Sequence, residues 1–297
     1  MLPNFFVVGA QKSGTTSLHN YLADHPNIYL PAQKETKFFA LDDLFAQGIA
    51  HYEASYFADH AGQAAIGEID PEYMYLPVVL QRMSDTLPGF ASTRFIFVLR
   101  EPVARAYSHY LITLKRGIET LDFDHAIAAE DERLTGGYFE QVHFSYLDRG
   151  RYVDQLLRFA NLVPRERMLV LLAEELSADP LTTVQKVFRF LGVDDTYVPG
   201  NVEKQFHVAT RARSTLLLRL AKQESAFKTA LRTLFPLPAW RKRIRKGIHQ
   251  WNQRGRYQQT PALDRATRMR VETLYADHNR RLAKFLERDL AEWRTAA

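Results

Sequence analysis

A short apolar segment, a small-residue loop and a helix start, all within residues 5–18, constrain the fold of this chain most strongly. Residues 5–8 are Phe-Phe-Val-Val, a run typical of a buried β-strand. A loop bounded by glycines at 9 and 14 follows, and three hydroxyl residues at 15–17 open a helix. The first N–H groups of a helix favour an anion, and Lys12 adds a positive charge. The stretch therefore predicts a phosphate-binding strand–loop–helix unit, with an ordinary strand–turn–helix corner as the alternative.

The loop departs from the P-loop of ATPases and kinases, G-x-x-x-x-G-K-[ST]. Gly9 and Gly14 have the required spacing, and Thr16 stands at the position of the magnesium-binding hydroxyl. Thr15, however, occupies the lysine position, and Lys12 precedes the second glycine. Phosphoryl transfer needs that lysine and a magnesium-binding acid. The displaced lysine argues against a P-loop-like nucleotide kinase or NTPase, which stays as an alternative function.

A second candidate anion site follows the clearest buried strand of the sequence. Residues 95–99 are continuously apolar, as in a parallel strand covered on both faces. Arg100 ends this strand, and Pro102 suits the first turn of a helix that carries Ser108. Arg100 and Ser108 can bind one anion if the arginine folds back over the helix start. An ion pair between Arg100 and Glu101 is the alternative.

Composition indicates a globular protein. The 297 residues suffice for one large α/β domain or two small ones with a sizeable core, and 46% of the residues are hydrophobic. The absence of cysteine excludes disulfides and thiolate metal sites, and the histidines lack a close ligand spacing, so we expect no metal. A core strand begins almost at the first residue, without a leader or a bilayer-spanning run. We expect a cytoplasmic protein.

The formal net charge of +5 is unevenly distributed. Residues 211–256 contain thirteen Lys/Arg and one acidic residue, a net charge of +12 before histidine. Within this stretch, residues 211–250 have the pattern of basic amphipathic helices. Such helices predict either a lid over a nucleotide or a peripheral contact with an anionic membrane, and we prefer the lid. A non-catalytic protein that binds anions or membranes through this sector is the second alternative function.

Three segments resemble motifs of sulfotransferases that use 3′-phosphoadenosine 5′-phosphosulfate (PAPS), namely the heparan sulfate-type enzymes and their bacterial relatives. They read K-S-G-T-T-S-L at 12–18, K-E-T-K-F-F at 34–39 and L-R-E-P-V-A-R-A-Y-S at 99–108. The resemblance covers nearly the whole chain apart from 118–144 and the basic insertion. It implies an α/β fold with a central parallel β-sheet flanked by helices, the P-loop-like sulfotransferase fold, and we expect a single domain over 1–297.

The resemblance also implies the donor site. In the family, the first motif holds the 5′-phosphosulfate and the third holds the 3′-phosphate, and the product is adenosine 3′,5′-bisphosphate (PAP). A cation at the leaving oxygen stabilises the transition state, so Lys12 is also a candidate catalytic residue. No metal is implied. The donor-binding residues expected on this basis are Lys12, Ser13, Gly14, Thr15, Thr16, Ser17, Arg100, Ser108, Tyr152, Arg254, Gly255 and Arg256.

On the acceptor side, the glutamate of the K-E-x-x-F-F motif is the general base of the family, which makes Glu35 the candidate base. A family segment G-E-K-x-P-x-Y borders the acceptor, and here Ile69 stands in place of its lysine. The resemblance implies in-line transfer of the sulfuryl group to a hydroxyl of a glycan, lipid or small molecule. An amine is the second choice of acceptor group. No nucleic-acid partner is expected, and the sequence indicates no oligomeric state. The expected acceptor-side residues are Lys37, Glu68, Asp70 and Tyr73.

Some expectations concern local structure alone. Residues 41–65 have a partly amphipathic helical pattern, and 118–144 reads as an irregular surface excursion. The last helix is predicted from Arg265 to about Trp293, with one buried stripe. The residues predicted for that stripe are Leu274, Tyr275, Leu282, Phe285 and Leu286.

Overall fold

A computed structural model describes residues 1–202 and 262–293 of the chain. The chain divides into two compact units, which are described separately. The basic insertion predicted at 211–250 lies outside the described residues, and the single domain expected over 1–297 stays a prediction. Of the described residues, the first unit contains 1–106, 147–202 and 270–293, and the second contains 107–146 and 262–269.

The core of the first unit is a parallel five-stranded sheet, which confirms the predicted fold class. The strand order is β2-β3-β1-β4-β5, with β1 paired to β3 on one side and to β4 on the other. The apolar runs of β1 and β4 are buried on both faces, as their composition predicted. The strands are β1 (Phe5–Gly9), β2 (Ile28–Tyr29), β3 (Ala65–Ile69), β4 (Arg94–Leu99) and β5 (Met168–Leu172).

Helices connect the strands of the first unit, and the second unit contains helices of its own. None of the helices within 1–202 and 262–293 combines the length and the apolar character that a bilayer crossing requires. In chain order they are α1 (Thr15–Ala23), α2 (Asp42–Phe45), α3 (Ile49–Tyr56), α4 (Pro77–Thr86), α5 (Pro102–Lys115), α6 (Phe123–Ala128), α7 (Glu130–Arg133), α8 (Tyr138–His143), α9 (Tyr152–Ala160), α10 (Ala173–Ala178), α11 (Pro180–Leu191) and α12 (Arg265–Leu286). Short 3₁₀ turns occupy Phe90–Ser92, Asp148–Gly150, Arg165–Arg167 and Ala291–Trp293.

The sheet topology brings three chain segments to one edge. The carboxyl ends of β1, β3 and β4 lead into the loop after Gly9, into Asp70 and into Arg100. Because β1 lies between β3 and β4, these three segments are neighbours. Parallel sheets bind ligands at this edge.

Three local expectations were wrong. Residues 41–65 are not continuously helical, since α3 ends at Tyr56 and β3 begins at Ala65. Residues 118–144 are not irregular, because they contain α6, α7 and α8. The last helix, α12, ends at Leu286, and a 3₁₀ turn precedes the end of the described chain.

The buried face of α12 also differs from the predicted stripe. Leu274 is 56% exposed, whereas Val271 is fully buried together with Tyr275 and Leu282. Positions 271, 275 and 282 fall on one helical face, and position 274 lies about 100° away from 275. Tyr275 is fixed by packing on Gly150 and by a 2.7 Å hydrogen bond from its hydroxyl to the carbonyl of Leu147.

Candidate active site

The phosphate loop, residues 9–17, joins β1 to α1 in the predicted strand–loop–helix arrangement. Gly14 precedes the helix in the left-handed conformation, with φ 95°, and no side chain caps the helix start. Ser13 is buried, and its hydroxyl has no hydrogen-bond partner within the described chain. The loop therefore combines an uncapped helix N-terminus with an unsatisfied buried hydroxyl, which are the features of an anion site.

Gly9 serves packing rather than the approach of a ligand. A Cβ atom at this position would lie 2.6 Å from the Cβ of Met74. The backbone N–H of Met74 donates a 2.8 Å hydrogen bond to the carbonyl of Val8, which holds this segment against the end of β1. Gly9 is therefore required for the close contact between β1 and the segment that follows β3.

Arg100 connects the two candidate anion motifs. Its guanidinium Nη1 donates a 3.2 Å hydrogen bond to the backbone carbonyl of Lys12 in the phosphate loop. Lys12 itself has a left-handed backbone, with φ 72°. The hydroxyl of Tyr152 donates a 2.9 Å hydrogen bond to the carbonyl of Arg100, and burial raises the pKa of this tyrosine to about 12. The strand end and the phosphate loop are thus held together.

Glu101 caps a helix, which differs from the role in an ion pair with Arg100 that the sequence offered as an alternative. Its carboxylate oxygens accept hydrogen bonds of 2.8 Å from the backbone N–H groups of Val103 and Ala104. A carboxylate in this position caps the start of α5 and interacts favourably with the helix dipole. The arginine is accordingly directed to the phosphate loop.

Glu35 lies between two lysines in the KETK loop, residues 34–37. Its Oε1 is 3.0 Å from the ammonium of Lys34, and its Oε2 is 3.7 Å from that of Lys37. The side chain of Glu35 remains 36% exposed. Lys34 also donates a 3.0 Å hydrogen bond to Oγ1 of Thr16, so one ammonium bridges the candidate base and the phosphate loop.

Lys37 is surrounded by carboxylates. Its ammonium is 2.7 Å from Glu72, 3.2 Å from Asp70 and 3.7 Å from Glu35. Burial opposes its charge, but Asp70 and Glu72 outweigh burial and raise the pKa of Lys37. Burial raises the pKa of Asp70 to about 7. The positive charge of Lys37 opposes this rise in pKa, and the negative charge of Glu72 adds to it.

Glu68 lies below the KETK loop and is fully buried. It accepts hydrogen bonds from the backbone N–H of Thr36 at 3.1 Å, from the Thr36 hydroxyl at 2.5 Å and from the Tyr73 hydroxyl at 3.1 Å. The hydroxyl of Tyr52 donates a fourth hydrogen bond. Burial raises the pKa of Glu68, and these hydrogen bonds oppose that rise.

The structure brings together most of the predicted residues of the first unit. Glu68, Asp70 and Tyr73 are buried beneath the KETK loop, so their contacts support that loop, and their assignment to the acceptor stays a prediction. Ser108 lies on α5 in the second unit, and its pairing with Arg100 stays a prediction. Arg254, Gly255 and Arg256 lie outside the described residues.

Sequence reasoning missed four polar residues of this site: Lys34, Thr36, Tyr52 and Glu72. The ring of Tyr52 is buried, as expected of an aromatic residue in a partly amphipathic helical pattern, but its hydroxyl reaches Glu68. A buried tyrosine usually finds a hydrogen-bond partner, which is the signal that could have identified it. Among residues 1–202 and 262–293, no cluster of three or more His, Asp or Glu side chains has the arrangement of a metal site.

Residues 2–212 match the family described as "Sulfotransferase domain". The crystal structure of a sulfotransferase from Alicyclobacillus acidocaldarius is 26% identical, with a TM-score of 0.72, covering 99% of this chain and 100% of that one.

Two curated relatives extend the comparison. Heparan sulfate glucosamine 3-O-sulfotransferase 6 of Mus musculus is 28% identical over 222 residues, which cover 72% of this chain and 60% of the relative. The membrane-associated sulfotransferase kil1 of Dictyostelium discoideum is 38% identical over 117 residues, which cover 38% of this chain and 24% of the relative. The chain thus spans about a quarter to three fifths of these relatives' lengths. Since the family match covers well over half of its residues, and the parallel sheet and phosphate loop agree with it, the chain belongs to the sulfotransferase domain family.

Proposed function

We propose that this protein transfers the sulfuryl group of PAPS to a hydroxyl group, with Glu35 as the general base. The observation that carries the proposal is the position of Lys34, whose ammonium contacts both Thr16 of the phosphate loop and the carboxylate of Glu35 at 3.0 Å. A base for in-line transfer has to act next to the group that is transferred. One shared ammonium between loop and base satisfies that requirement.

The donor set of the phosphate loop fits a phosphosulfate. The N-terminus of α1 has no side-chain cap, and the buried hydroxyl of Ser13 has no partner within the described chain. Lys12 and the N–H groups at residues 14–17 would hold the 5′-phosphosulfate. Arg100, already hydrogen-bonded to the loop through the carbonyl of Lys12, would bind the 3′-phosphate that distinguishes PAPS from ATP.

The residues of the site then divide the chemistry. PAPS supplies a sulfuryl group on a phosphate leaving group, whose bridging oxygen gains negative charge as the bond to sulfur breaks. Lys12 stabilises that charge, and a cation placed in advance stabilises the transition state more than the ground state. Glu35 accepts the proton of the acceptor hydroxyl, while Lys34 and Lys37 keep its carboxylate oriented.

For the acceptor, we propose a hydroxyl of a carbohydrate, lipid or small molecule rather than an amine. The curated relative from Mus musculus is named for 3-O-sulfation of a glucosamine unit of heparan sulfate, which supports a carbohydrate acceptor. Ile69 is buried in β3 and brings no positive charge to this side of the site. We further propose a cytoplasmic location.

The deciding experiment is calorimetric titration with PAP in the absence of magnesium, beside titration with ATP and magnesium. We expect tight binding of PAP that is lost in Lys12→Ala and Arg100→Ala. Preference for magnesium ATP would reject the proposal in favour of the kinase alternative, and absence of PAP binding would reject the donor assignment.

The role of Glu35 is tested in a second step with an acceptor panel. Glu35→Gln is expected to bind PAP with unchanged affinity and to lose at least about 100-fold in turnover, the range that general bases contribute. Glu132→Gln, which changes an exposed glutamate of α7, is the matched control. Full turnover by Glu35→Gln would reject Glu35 as the base.

A further inference from the structure

We infer that Glu68 is a positioning residue for catalysis, because its buried carboxylate fixes the KETK loop in the conformation that presents Glu35. This inference rests on the proposed role of Glu35 as the base. It gives Glu68 a function other than contact with the acceptor.

The backbone of the KETK loop is the first observation. Glu35 and Lys37 both have left-handed backbone conformations, with φ 60° and 63°. Such a conformation is unfavourable for a residue other than glycine, so it persists only where the surroundings impose it. Thr36, between them, is the residue through which the loop is held.

Thr36 is held by Glu68 through two separate groups. Its backbone N–H and its hydroxyl both donate to Glu68 Oε1, at 3.1 and 2.5 Å. The backbone N–H of the next residue, Lys37, donates to Asp70 Oδ2 at 3.2 Å. Two carboxylates at the end of β3 thus receive two consecutive N–H groups of the loop.

Thr36 is buried while Glu35 remains partly exposed. With Thr36 directed inward to Glu68, the left-handed backbone on either side leaves Glu35 partly exposed and turns the ammonium of Lys37 to Asp70 and Glu72. Their side chains accordingly meet each other, with Oε2 of Glu35 3.7 Å from the ammonium of Lys37. The orientation of the candidate base is therefore a consequence of the bond between Thr36 and Glu68.

The carboxylate is specifically required because four hydrogen bonds converge on it. Tyr52 and Tyr73 donate the remaining two, and both are fully buried. An ionised carboxylate only accepts, whereas the amide of a glutamine brings two donors of its own. Glu68→Gln therefore offers one accepting oxygen where the carboxylate offers two and removes the negative charge, so the hydrogen bonds from Thr36 weaken and the loop is held less tightly.

The test combines loop dynamics, donor binding and turnover. Hydrogen exchange by mass spectrometry on a peptide covering residues 34–39 is expected to be at least about 10-fold faster in Glu68→Gln, because the buried hydrogen bonds from the loop to this side chain are weakened. The affinity for PAP and the KM for PAPS are expected to stay within about two-fold, while kcat falls about 100-fold, the usual cost of a misplaced reactive group. Tyr52→Phe is expected to give the same pattern with smaller changes.

Tyr146→Phe is the matched control. The Tyr146 hydroxyl donates a 2.9 Å hydrogen bond to Glu119, another buried carboxylate, within the second unit. This variant loses a comparable buried hydrogen bond and is expected to leave exchange of the 34–39 peptide and kcat unchanged. A similar loop effect in Tyr146→Phe would show general destabilisation and would overturn the inference.

Further outcomes would also overturn it. If loop exchange or kcat in Glu68→Gln equals that of the wild type, a positioning role is excluded. An equal loss of PAP affinity and of kcat excludes it as well. If Glu68→Gln does not fold, Tyr52→Phe decides by the same criteria. If the wild-type protein transfers no sulfuryl group, the proposed function fails by itself, and loop exchange alone then supports or rejects the control of loop conformation by Glu68.

Discussion

The guanidinium of Arg100 donates a 3.2 Å hydrogen bond to the backbone carbonyl of Lys12, across 88 residues of sequence. The arginine directly follows β4, and the lysine lies in the loop that follows β1, the neighbouring strand of the sheet. The two motifs expected to bind opposite ends of one nucleotide are thus joined directly. A change at either residue is therefore expected to affect both motifs.

Arg100→Lys is predicted to weaken PAP binding by at least about 10-fold, although the charge is kept. A lysine ammonium lacks the planar fork with which a guanidinium can bind a carbonyl and a phosphate together. Arg94→Lys is the matched control, because Arg94 begins the same strand and also donates to a carbonyl, that of Leu191. Titration calorimetry measures both affinities, and equal affinities for Arg100→Lys and wild type would refute the prediction.

Lys34→Met is predicted to lower kcat by about 10-fold or more with a smaller effect on PAP affinity. The substitution removes the ammonium that bridges Thr16 and Glu35 and keeps an apolar side chain of similar length. Lys186→Met, which removes a partly exposed lysine 3.7 Å from Glu175, serves as the control. Steady-state kinetics with saturating PAPS measure the effect, and an unchanged kcat would show that the bridge is dispensable.

Asp70 is predicted to make the stability of the protein pH-dependent. Burial raises its pKa in the folded protein from 3.8 to about 7. The carboxyl of Asp70 therefore binds its proton more tightly in the folded state than in the unfolded state. Its contribution to the free energy of unfolding is complete below about pH 4 and is lost as the pH rises through about 7. At about 1.4 kcal/mol per pKa unit, the loss amounts to at most about 4 kcal/mol.

The comparison of wild type with Asp70→Asn measures this contribution. The free energy of unfolding in urea, determined between pH 4 and pH 8, is expected to fall more steeply with pH in the wild type than in Asp70→Asn. Asp43→Asn, which changes an exposed aspartate of α2, is expected to keep the wild-type slope. Parallel curves for wild type and Asp70→Asn would contradict the raised pKa.

Gly9→Ala is predicted to destabilise the fold by about 1–3 kcal/mol through overpacking. The new methyl group would lie 2.6 Å from the Cβ of Met74, an atom too close to the backbone to swing away. Gly89→Ala is the control, because a Cβ there meets its nearest neighbour, Ser92 Oγ, at 3.6 Å. Urea unfolding measures both variants, and equal stability of Gly9→Ala and wild type would contradict the prediction.

The local sequence pattern was sufficient to predict a strand or a helix where the segment is buried on both faces or has residues that mark its ends. The apolar runs of β1 and β4 appear as strands, as predicted. The helix α11 begins at Pro180 and ends before Gly192, two residues typical of helix ends. The pattern failed at β3, whose residues Ala-Ile-Gly-Glu-Ile include a buried glutamate and a glycine packed under Phe5. The sequence pattern does not show that an acidic residue will be buried in a strand, since the side chains that donate hydrogen bonds to it belong to other segments of the chain.

The sequence alone determined the fold class, the phosphate loop and the segments that carry Glu35 and Arg100, because these depend on local hydrophobic pattern and on motif spacing. The tertiary structure alone decided which polar side chains meet. Thr36, Tyr52 and Glu68 belong to three separate segments, and the parallel order of the sheet brings them to one point. A buried carboxylate is stable only with such partners, and these contacts, distant in sequence, are established only when the chain is folded.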